Sequence, residues 1–171
     1  MTATTRLVSP DDAPEMAAVL AANREFLAPW EPVRGADYFT EPGQRLVIDD
    51  MLRQRKLGTM VPHVIVDDGR IVGRVALSNI ARGPFLSASL GYWVAADANG
   101  RGIATAAVGR IVRLAFGELG LHRIEAGTLT HNVGSQRVLE RNGFRRYGLA
   151  PRYLKIAGEW QDHVLYQVLA D

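Results

Sequence analysis

The stretch V-A-A-D-A-N-G-R-G-I-A, Val94 to Ala104, decides how this chain is read. Upstream of it, Leu86–Ala95 (L-S-A-S-L-G-Y-W-V-A) carries no charged residue, which predicts a strand central in a sheet. Downstream, Ala104, Val108, Ile111, Val112, Ala115 and Leu119 recur at helical spacing from Ile103 to Gly120. Strand, glycine loop and helix in that order gather backbone N–H groups at a helix N-terminus, where the macrodipole favours an anion such as phosphate. A Walker A loop is excluded because no Gly-Lys-Ser/Thr follows, and the dinucleotide fingerprint because the spacing is not G-x-G-x-x-G. Taken alone, such a loop is equally ordinary turn chemistry, so its neighbours must decide.

On the N-terminal side, Thr5–Val8 reads as a first strand, and Ser9-Pro10-Asp11-Asp12 caps a helix that runs to about Asn23 with Met16, Val19 and Leu20 inward. Phe26–Gly43 is interrupted by Pro29, Pro32, Gly35 and Pro42 yet holds Phe26, Leu27, Trp30, Tyr38 and Phe39, a short helix or loop with aromatics to bury. A helix follows from about Pro42 to Leu57. Val61–Val66, the turn Asp67-Asp68-Gly69-Arg70 and Ile71–Ile80 form a hairpin. On the C-terminal side, Arg123–Thr128 is a strand, Asn132 caps a helix through Arg141, and Asn142-Gly143 closes it. Phe144–Tyr147 and Trp160–Leu169 complete the sheet. The alternation predicts an α/β (mixed α+β) fold of two or three layers with a sheet of mixed direction. No repeat or linker divides residues 1–171, so a single domain is expected.

The 171 residues, 47% apolar and 22% charged, are enough to bury a core and exclude a disordered or fibrous chain. The cysteine count is zero, which excludes disulfide frameworks, thiolate metal sites and a cysteine nucleophile. Residues 1–100 hold ten Lys and Arg against twelve Asp and Glu, and residues 101–171 ten against six, so the net +2 conceals opposed halves. Eighteen of the twenty basic residues are Arg, a type suited to bidentate phosphate contacts and equally a product of genome base composition. No basic run marks a nucleic-acid tail, so no direct nucleic-acid binding is expected. Met1–Arg6 lacks a signal-type apolar region, and the longest uncharged stretch, Gly83–Ala96, is too short to span a bilayer. The expectation is a cytoplasmic protein without membrane contact, either monomer or homodimer.

About thirty residues beyond the glycine loop comes H-N-V-G-S-Q-R-V-L-E-R-N-G-F, His131 to Phe144. Together the two segments resemble the GNAT acetyltransferase superfamily. N-R-E-F-L-A-P-W-E-P (Asn23–Pro32), L-G-Y-W-V (Leu90–Val94), L-H-R-I-E-A (Leu121–Ala126) and G-E-W-Q-D-H-V-L-Y (Gly158–Tyr166) are similar, more narrowly, to its RimJ/RimL branch, which acetylates protein N-termini. The resemblance implies a mostly antiparallel central sheet flanked by helices, acetyl-CoA as cosubstrate and no metal. It also implies that Gly100, Arg101, Gly102, Ile103, Ala104 and Thr105 wrap the CoA pyrophosphate. Asn132 and Ser135 would lie beside the pantetheine arm, and Arg137 or Arg141 would reach the nucleotide phosphates. Asn99 stands where the superfamily usually has Gln or Arg, and Ala104 replaces its last glycine.

In such a fold the strand ending at Val94 splays from the one starting near Arg123, and a backbone N–H around Trp93–Val94 polarises the thioester carbonyl. With no cysteine, direct attack by the amine is the economical route. The tyrosine that many relatives use as acid is missing from Val138–Asn142, which makes Ser135 the candidate donor to the departing sulfur; its alternative is a helix-start serine bonding backbone. Glu125 is the candidate general base, alternatively a strand carboxylate paired with Arg123. Asp162 and His163 are further candidates on the last strand, with a structural histidine as the alternative for His163 and for His131. Leu154 stands near where some relatives carry a Glu. A weak base suits an α-amine, about a tenth neutral at pH 7, better than a lysine, neutral less than about one time in a thousand. Trp30, Tyr38 and Trp93 are expected to wall the acceptor site, with Asp162 nearby and Glu25, Glu31 or Asp37 meeting a cationic chain. The leading function is acetyl-CoA-dependent acetylation of a peptide or protein α-amine. The alternatives are acetylation of a small amine, such as a polyamine or antibiotic, and a CoA-binding sensor with weak catalysis.

Overall fold

The computed structural model describes residues 3–171. Strand β1 (Thr4–Leu7) enters a 3-10 turn at Pro10–Asp12 and then α1 (Ala13–Ala22). The turn is held by a reciprocal cap: Ser9 Oγ accepts from Asp11 N–H and the Asp12 carboxylate accepts from Ser9 N–H at 2.8 Å. The same carboxylate receives both arms of the Arg6 guanidinium at 2.8 Å. The proline-broken segment forms α2 (Arg24–Leu27) and two 3-10 turns, Ala28–Trp30 and Ala36–Phe39. Helix α3 (Glu41–Lys56) starts at Thr40, whose Oγ accepts from Gly43 N–H at 3.2 Å, and ends on Arg53, Arg55 and Lys56, which suit the negative pole of the helix. Then come β2 (Val61–Asp67), β3 (Arg70–Ala81), β4 (Ser87–Val94), a 3-10 turn at Ala96–Ala98, α4 (Ile103–Gly117), β5 (Arg123–Leu129), α5 (Val133–Arg141), β6 (Arg145–Ile156) and β7 (Glu159–Leu169).

Two element ends differ from the sequence expectation by more than a residue. Helix α4 ends at Gly117 rather than Gly120. The strand expected to stop at Tyr147 runs on to Ile156. Its second half hides from pattern reading because it is an exposed edge strand, where no alternation is imposed and Pro151 is tolerated. A bulge between Ala150 and Leu154 takes up the proline, and Arg152, at φ 47°, donates its N–H to Asp162 Oδ1 at 2.8 Å.

The strands form one sheet in the order β1-β2-β3-β4-β5-β7-β6, mostly antiparallel, with β4 central as its uncharged sequence predicts and β4–β5 parallel. Its two faces carry separate cores. Adjacent Val64 and Ile65 of β2 fall in different ones, as the pleat requires. One core joins Met16 and Leu20 of α1 to Ile48 and Met51 of α3; the other joins Ile103, Ala107, Val108 and Ile111 of α4 to Leu139 of α5 and the sheet. The fold is therefore three-layered, with α1 and α3 on one face and α4 and α5 on the other.

Candidate active site

Parallel pairing of β4 and β5 covers Ser87 with Arg123, Ala88 with Ile124 and Ser89 with Glu125, and then stops. Beyond it the strands diverge, and a cavity of about 340 Å³ opens between Leu90–Trp93 on one side and Ala126–Leu129 on the other. The hydrogen-bond alternation of β4 identifies which amides face this split. Val94 lies opposite Gly73, and Ala95 N–H donates to Val72 O at 2.7 Å, so Val94 and Gly73 are a non-hydrogen-bonded pair. The N–H groups of Tyr92 and Val94 consequently point away from β3 into the split, whereas that of Trp93 is engaged with β3. Of the Trp93–Val94 pair expected to polarise a carbonyl, only Val94 has a free amide; Trp93 contributes its side chain.

The α4/α5 face of the split continues into a groove of about 690 Å³. Gly100 and Gly102 both have left-handed backbone, φ 73° and 76°, a conformation open to glycine at little cost. This turns the chain so that α4 starts with no side-chain cap, and Ala106 N–H, bonded to Gly102 O at 3.0 Å, is the first amide with an intrahelical acceptor. The four preceding amides, Gly102 to Thr105, stand free at the positive helix end. Asn132 caps α5 by accepting from Ser135 N–H at 3.1 Å, and Asn132, Ser135, Arg137 and Arg141 line the groove with Gly100, Gly102, Ile103, Ala104 and Thr105. Asn142 ties the two helices together, donating to Thr105 O at 3.1 Å and Val138 O at 2.9 Å. Thr128 Oγ1 is buried in the split without a partner. Free amides, two groove arginines and an orphan hydroxyl fit an extended phosphate-bearing ligand such as acetyl-CoA. Arg101 departs from expectation: its side chain turns away from the groove to pair with buried Asp67 at 2.8 Å, leaving only its backbone in the loop.

Where groove and split meet, Tyr92 OH lies 2.6 Å from Ser135 Oγ and 3.2 Å from Ser135 O. Burial pushes the Tyr92 phenol up to about 12, against the lowering effect of its bond to Ser135. Sequence reasoning, searching α5 for a tyrosine, missed this one on β4. Period-2 alternation carried the signal, since Leu90, Tyr92 and Val94 share the face that α5 covers.

Strand register assigns the other side of the split. Arg74 opposite Trp93, Ala76 opposite Gly91 and Ser78 opposite Ser89 face α1 and α3, as do Gly127 and Leu129 of β5 and, paired with Leu129, His163 of β7. Trp30, Glu31, Arg74, Trp93 and His163 line the cavity here. Trp30 also borders the groove, its ring centroid 5.5 Å from that of His131. The tip of the β6–β7 hairpin closes against this segment, Ala157 N–H donating to Glu31 O at 2.9 Å. Burial pushes the Glu31 carboxyl up, against the attraction of Arg34 and Arg74.

Three expected site residues lie elsewhere. Glu125 pairs with Ser89, below the point where the strands part, and its carboxylate accepts from Tyr147 OH at 3.4 Å, outside the cavity lining. Asp162 sits on the opposite face of β7 from His163 and is occupied by the Arg152 amide. Tyr38 packs into the α1/α3 core with Arg34 4.6 Å over its ring and does not line the cavity. Of the acids considered for a cationic acceptor, Glu31 reaches the cavity and Glu25 and Asp37 do not.

Comparison with known proteins matches residues 4–145 to the acetyltransferase (GNAT) domain. The chain is 39% identical over 160 residues to the probable N-acetyltransferase YjcK of Bacillus subtilis, covering 92% of this chain and 88% of that one. It is 35% identical over 162 residues to the [ribosomal protein uS5]-alanine N-acetyltransferase of Escherichia coli, covering 94% and 84%. Among solved structures, Mycobacterium smegmatis RimJ in complex with CoA-disulfide superposes with a TM-score of 0.95 at 36% identity, over 98% of this chain and 82% of that one.

Proposed function

Given that the chain belongs to the GNAT acetyltransferase family and is an N-acetyltransferase, we propose that it transfers the acetyl group of acetyl-CoA directly to the α-amine at a protein or peptide N-terminus. Residues 1–171 act in this reading as one catalytic domain in the cytoplasm. The observation that carries it is the split between β4 and β5, with the free Val94 amide, the Tyr92–Ser135 pair and the Glu31-bearing cavity on its borders.

Acetyl-CoA, when bound, supplies an activated thioester. The amides of Gly102 to Thr105 hold its pyrophosphate, Arg137 and Arg141 its nucleotide phosphates, and Asn132 and Thr128 flank the pantetheine arm. Val94 N–H meets the thioester oxygen, where negative charge develops; such a preorganised donor contributes a few kcal/mol. Ser135 gives its proton to the departing sulfur. Tyr92 keeps its own proton across the working range and donates to Ser135 Oγ, supporting the serine as it gains negative charge. On the acceptor side, Glu31 attracts the cationic amine while Trp30 and Trp93 wall it from water.

An α-amine is favoured over lysine because about a tenth of it is neutral at pH 7, against less than about one in a thousand for lysine. Similarity to an enzyme acting on an alanine of ribosomal protein uS5 makes an alanine-starting peptide from uS5 the first acceptor to try. The test is thiol release from acetyl-CoA with that peptide, unrelated peptides, polyamines and aminoglycosides. Release with peptides bearing a free N-terminus is the expected result. Release with small amines alone would move the protein to the small-molecule class, and acetyl-CoA binding without release for any amine would leave a sensor.

A further inference from the structure

We propose that His163 Nε2 is the proton acceptor for the substrate amine, an assignment that rests on the acetyltransferase reading above. Glu125, the carboxylate expected for this task, lies outside the cavity, so the base must be sought among groups that line it. His163 is 3% exposed and reaches the acceptor side of the split from β7, opposite Leu129. Its Nδ1 lies 3.0 Å from the backbone oxygen of Gln161. A carbonyl oxygen only accepts, so Nδ1 carries the hydrogen and the neutral ring has its lone pair on Nε2. Among the described residues Nε2 has no hydrogen-bond partner.

The ring is held in place from two sides. Tyr153 of β6 packs edge-on against it, centroids 5.5 Å apart. Gly127 of β5 lies beneath both rings: a Cβ there would come within 3.6 Å of His163 Cδ2 and 3.7 Å of Tyr153 Cε1. The Cδ2 edge, which adjoins Nε2, thus lies over a glycine that lines the split. A tautomer fixed by a backbone carbonyl, a positioned ring and a free nitrogen on the acceptor side are the requirements of a general base.

The charged and titratable groups facing the ring are Tyr153 from β6 and, across the cavity, Glu31 from the Trp30–Phe39 segment and Arg74 from β3; β5 presents the uncharged Gly127 and Leu129. Glu31 is set to draw the amine into the cavity that His163 also lines. Burial pushes the Glu31 carboxyl up, against the attraction of Arg34 and Arg74, which makes Glu31 the competing acceptor that the test must separate from His163. The step balances. Nε2 takes one proton from the ammonium group, the freed lone pair bonds to the thioester carbon, the carbon–sulfur bond breaks with its electrons on sulfur, that sulfur takes the Ser135 proton, and the acylated nitrogen gives its surplus proton to water. Exchange with water then restores both residues.

The test measures kcat and kcat/KM between pH 5.5 and 9 for the full chain with acetyl-CoA and an alanine-starting peptide. His163→Asn retains an N–H for the Gln161 carbonyl but has no Nε2; His163→Gln is the second variant should the first fold poorly, with acetyl-CoA affinity reporting an intact fold. Expected are a fall in kcat of about 10²-fold near neutrality, an unchanged KM for acetyl-CoA, and a deficit that shrinks with rising pH as the amine loses its proton unaided. A variant with wild-type kcat and pH profile would overturn the assignment while leaving the enzyme reading intact, and loss of the acid limb in Glu31→Gln instead would transfer the role to Glu31. Absence of transfer to any peptide by the wild-type protein would bring down both readings.

Discussion

Ser135 makes two contacts of different character: its backbone N–H donates to the Asn132 cap, and its side-chain hydroxyl meets the Tyr92 phenol. This separates its structural role from its proposed chemical one, because Ser135→Ala leaves the Asn132 cap bond in place and removes only the hydroxyl. The expected outcome is a fall in kcat of about 10²-fold with little change in acetyl-CoA affinity, measured by steady-state kinetics and calorimetry. Tyr92→Phe keeps the ring and loses the bond to Ser135, and is expected to reduce kcat less, by about tenfold. Tyr92 also marks the alkaline behaviour of the fold. Its value in the folded protein, about 12, lies above the ordinary 10.0 of the unfolded chain. Its protonated form therefore contributes stability in full below pH 10, and this is lost as pH rises towards 12. Unfolding followed by circular dichroism from pH 9 to 11 should show that decline in the wild type and a shallower one in Tyr92→Phe. The tyrosine was invisible to motif reasoning because the motif looks along α5, while the atoms meet across from β4.

Among the elements, the glycine loop and α4 are those most fully legible in the sequence. A charge-free strand, two glycines and a helical apolar stripe have one economical arrangement, and the structure adopts it. Gly102→Glu puts a Cβ into left-handed backbone and a carboxylate at the mouth of four free amides, and is expected to abolish acetyl-CoA binding in calorimetry; retained affinity would remove the loop from the cofactor site. The link between α4 and α5 was not legible, since nothing local to Gly109 or Asn142 reveals that they touch. A Cβ on Gly109 would lie 2.8 Å from Asn142 Oδ1, whose amide is held by two backbone carbonyls. Gly109→Ala is therefore expected to lower stability by about 1–3 kcal/mol in denaturant titration, despite the better helix propensity of alanine, and to weaken acetyl-CoA binding by tilting the helices apart. The second half of β6 escaped detection because an exposed edge strand containing proline has neither alternation nor apolar content to announce it. That Glu125 and Asp162 lie outside the cavity lining was not legible for a related reason: the sequence indicates their strands, but the face and level each occupies depend on a register that only the assembled sheet defines.

For the whole molecule, the opposed charges of the two halves of the chain acquire a geometry. Between Arg101 and Arg146 eight arginines face three glutamates, and Arg137 and Arg141 of this set line the groove. The first hundred residues, slightly acidic, contribute Glu31 to the other side of the split. An anionic cosubstrate from the α4/α5 face and a cationic amine from the α1/α3 face would thus meet where β4 and β5 part, with no thiol but that of CoA in the reaction. The zero cysteine count had already pointed to direct transfer; the two-sided split supports it by giving each reactant its own approach. The central claim is that the acceptor nitrogen is an N-terminal α-amine, and one measurement addresses it most directly: tandem mass spectrometry of an alanine-starting uS5 peptide that also contains an internal lysine, after incubation with the protein and acetyl-CoA. The account predicts a single acetyl group on the alanine nitrogen and an unmodified lysine; acetylation of the lysine with the α-amine left free would contradict it.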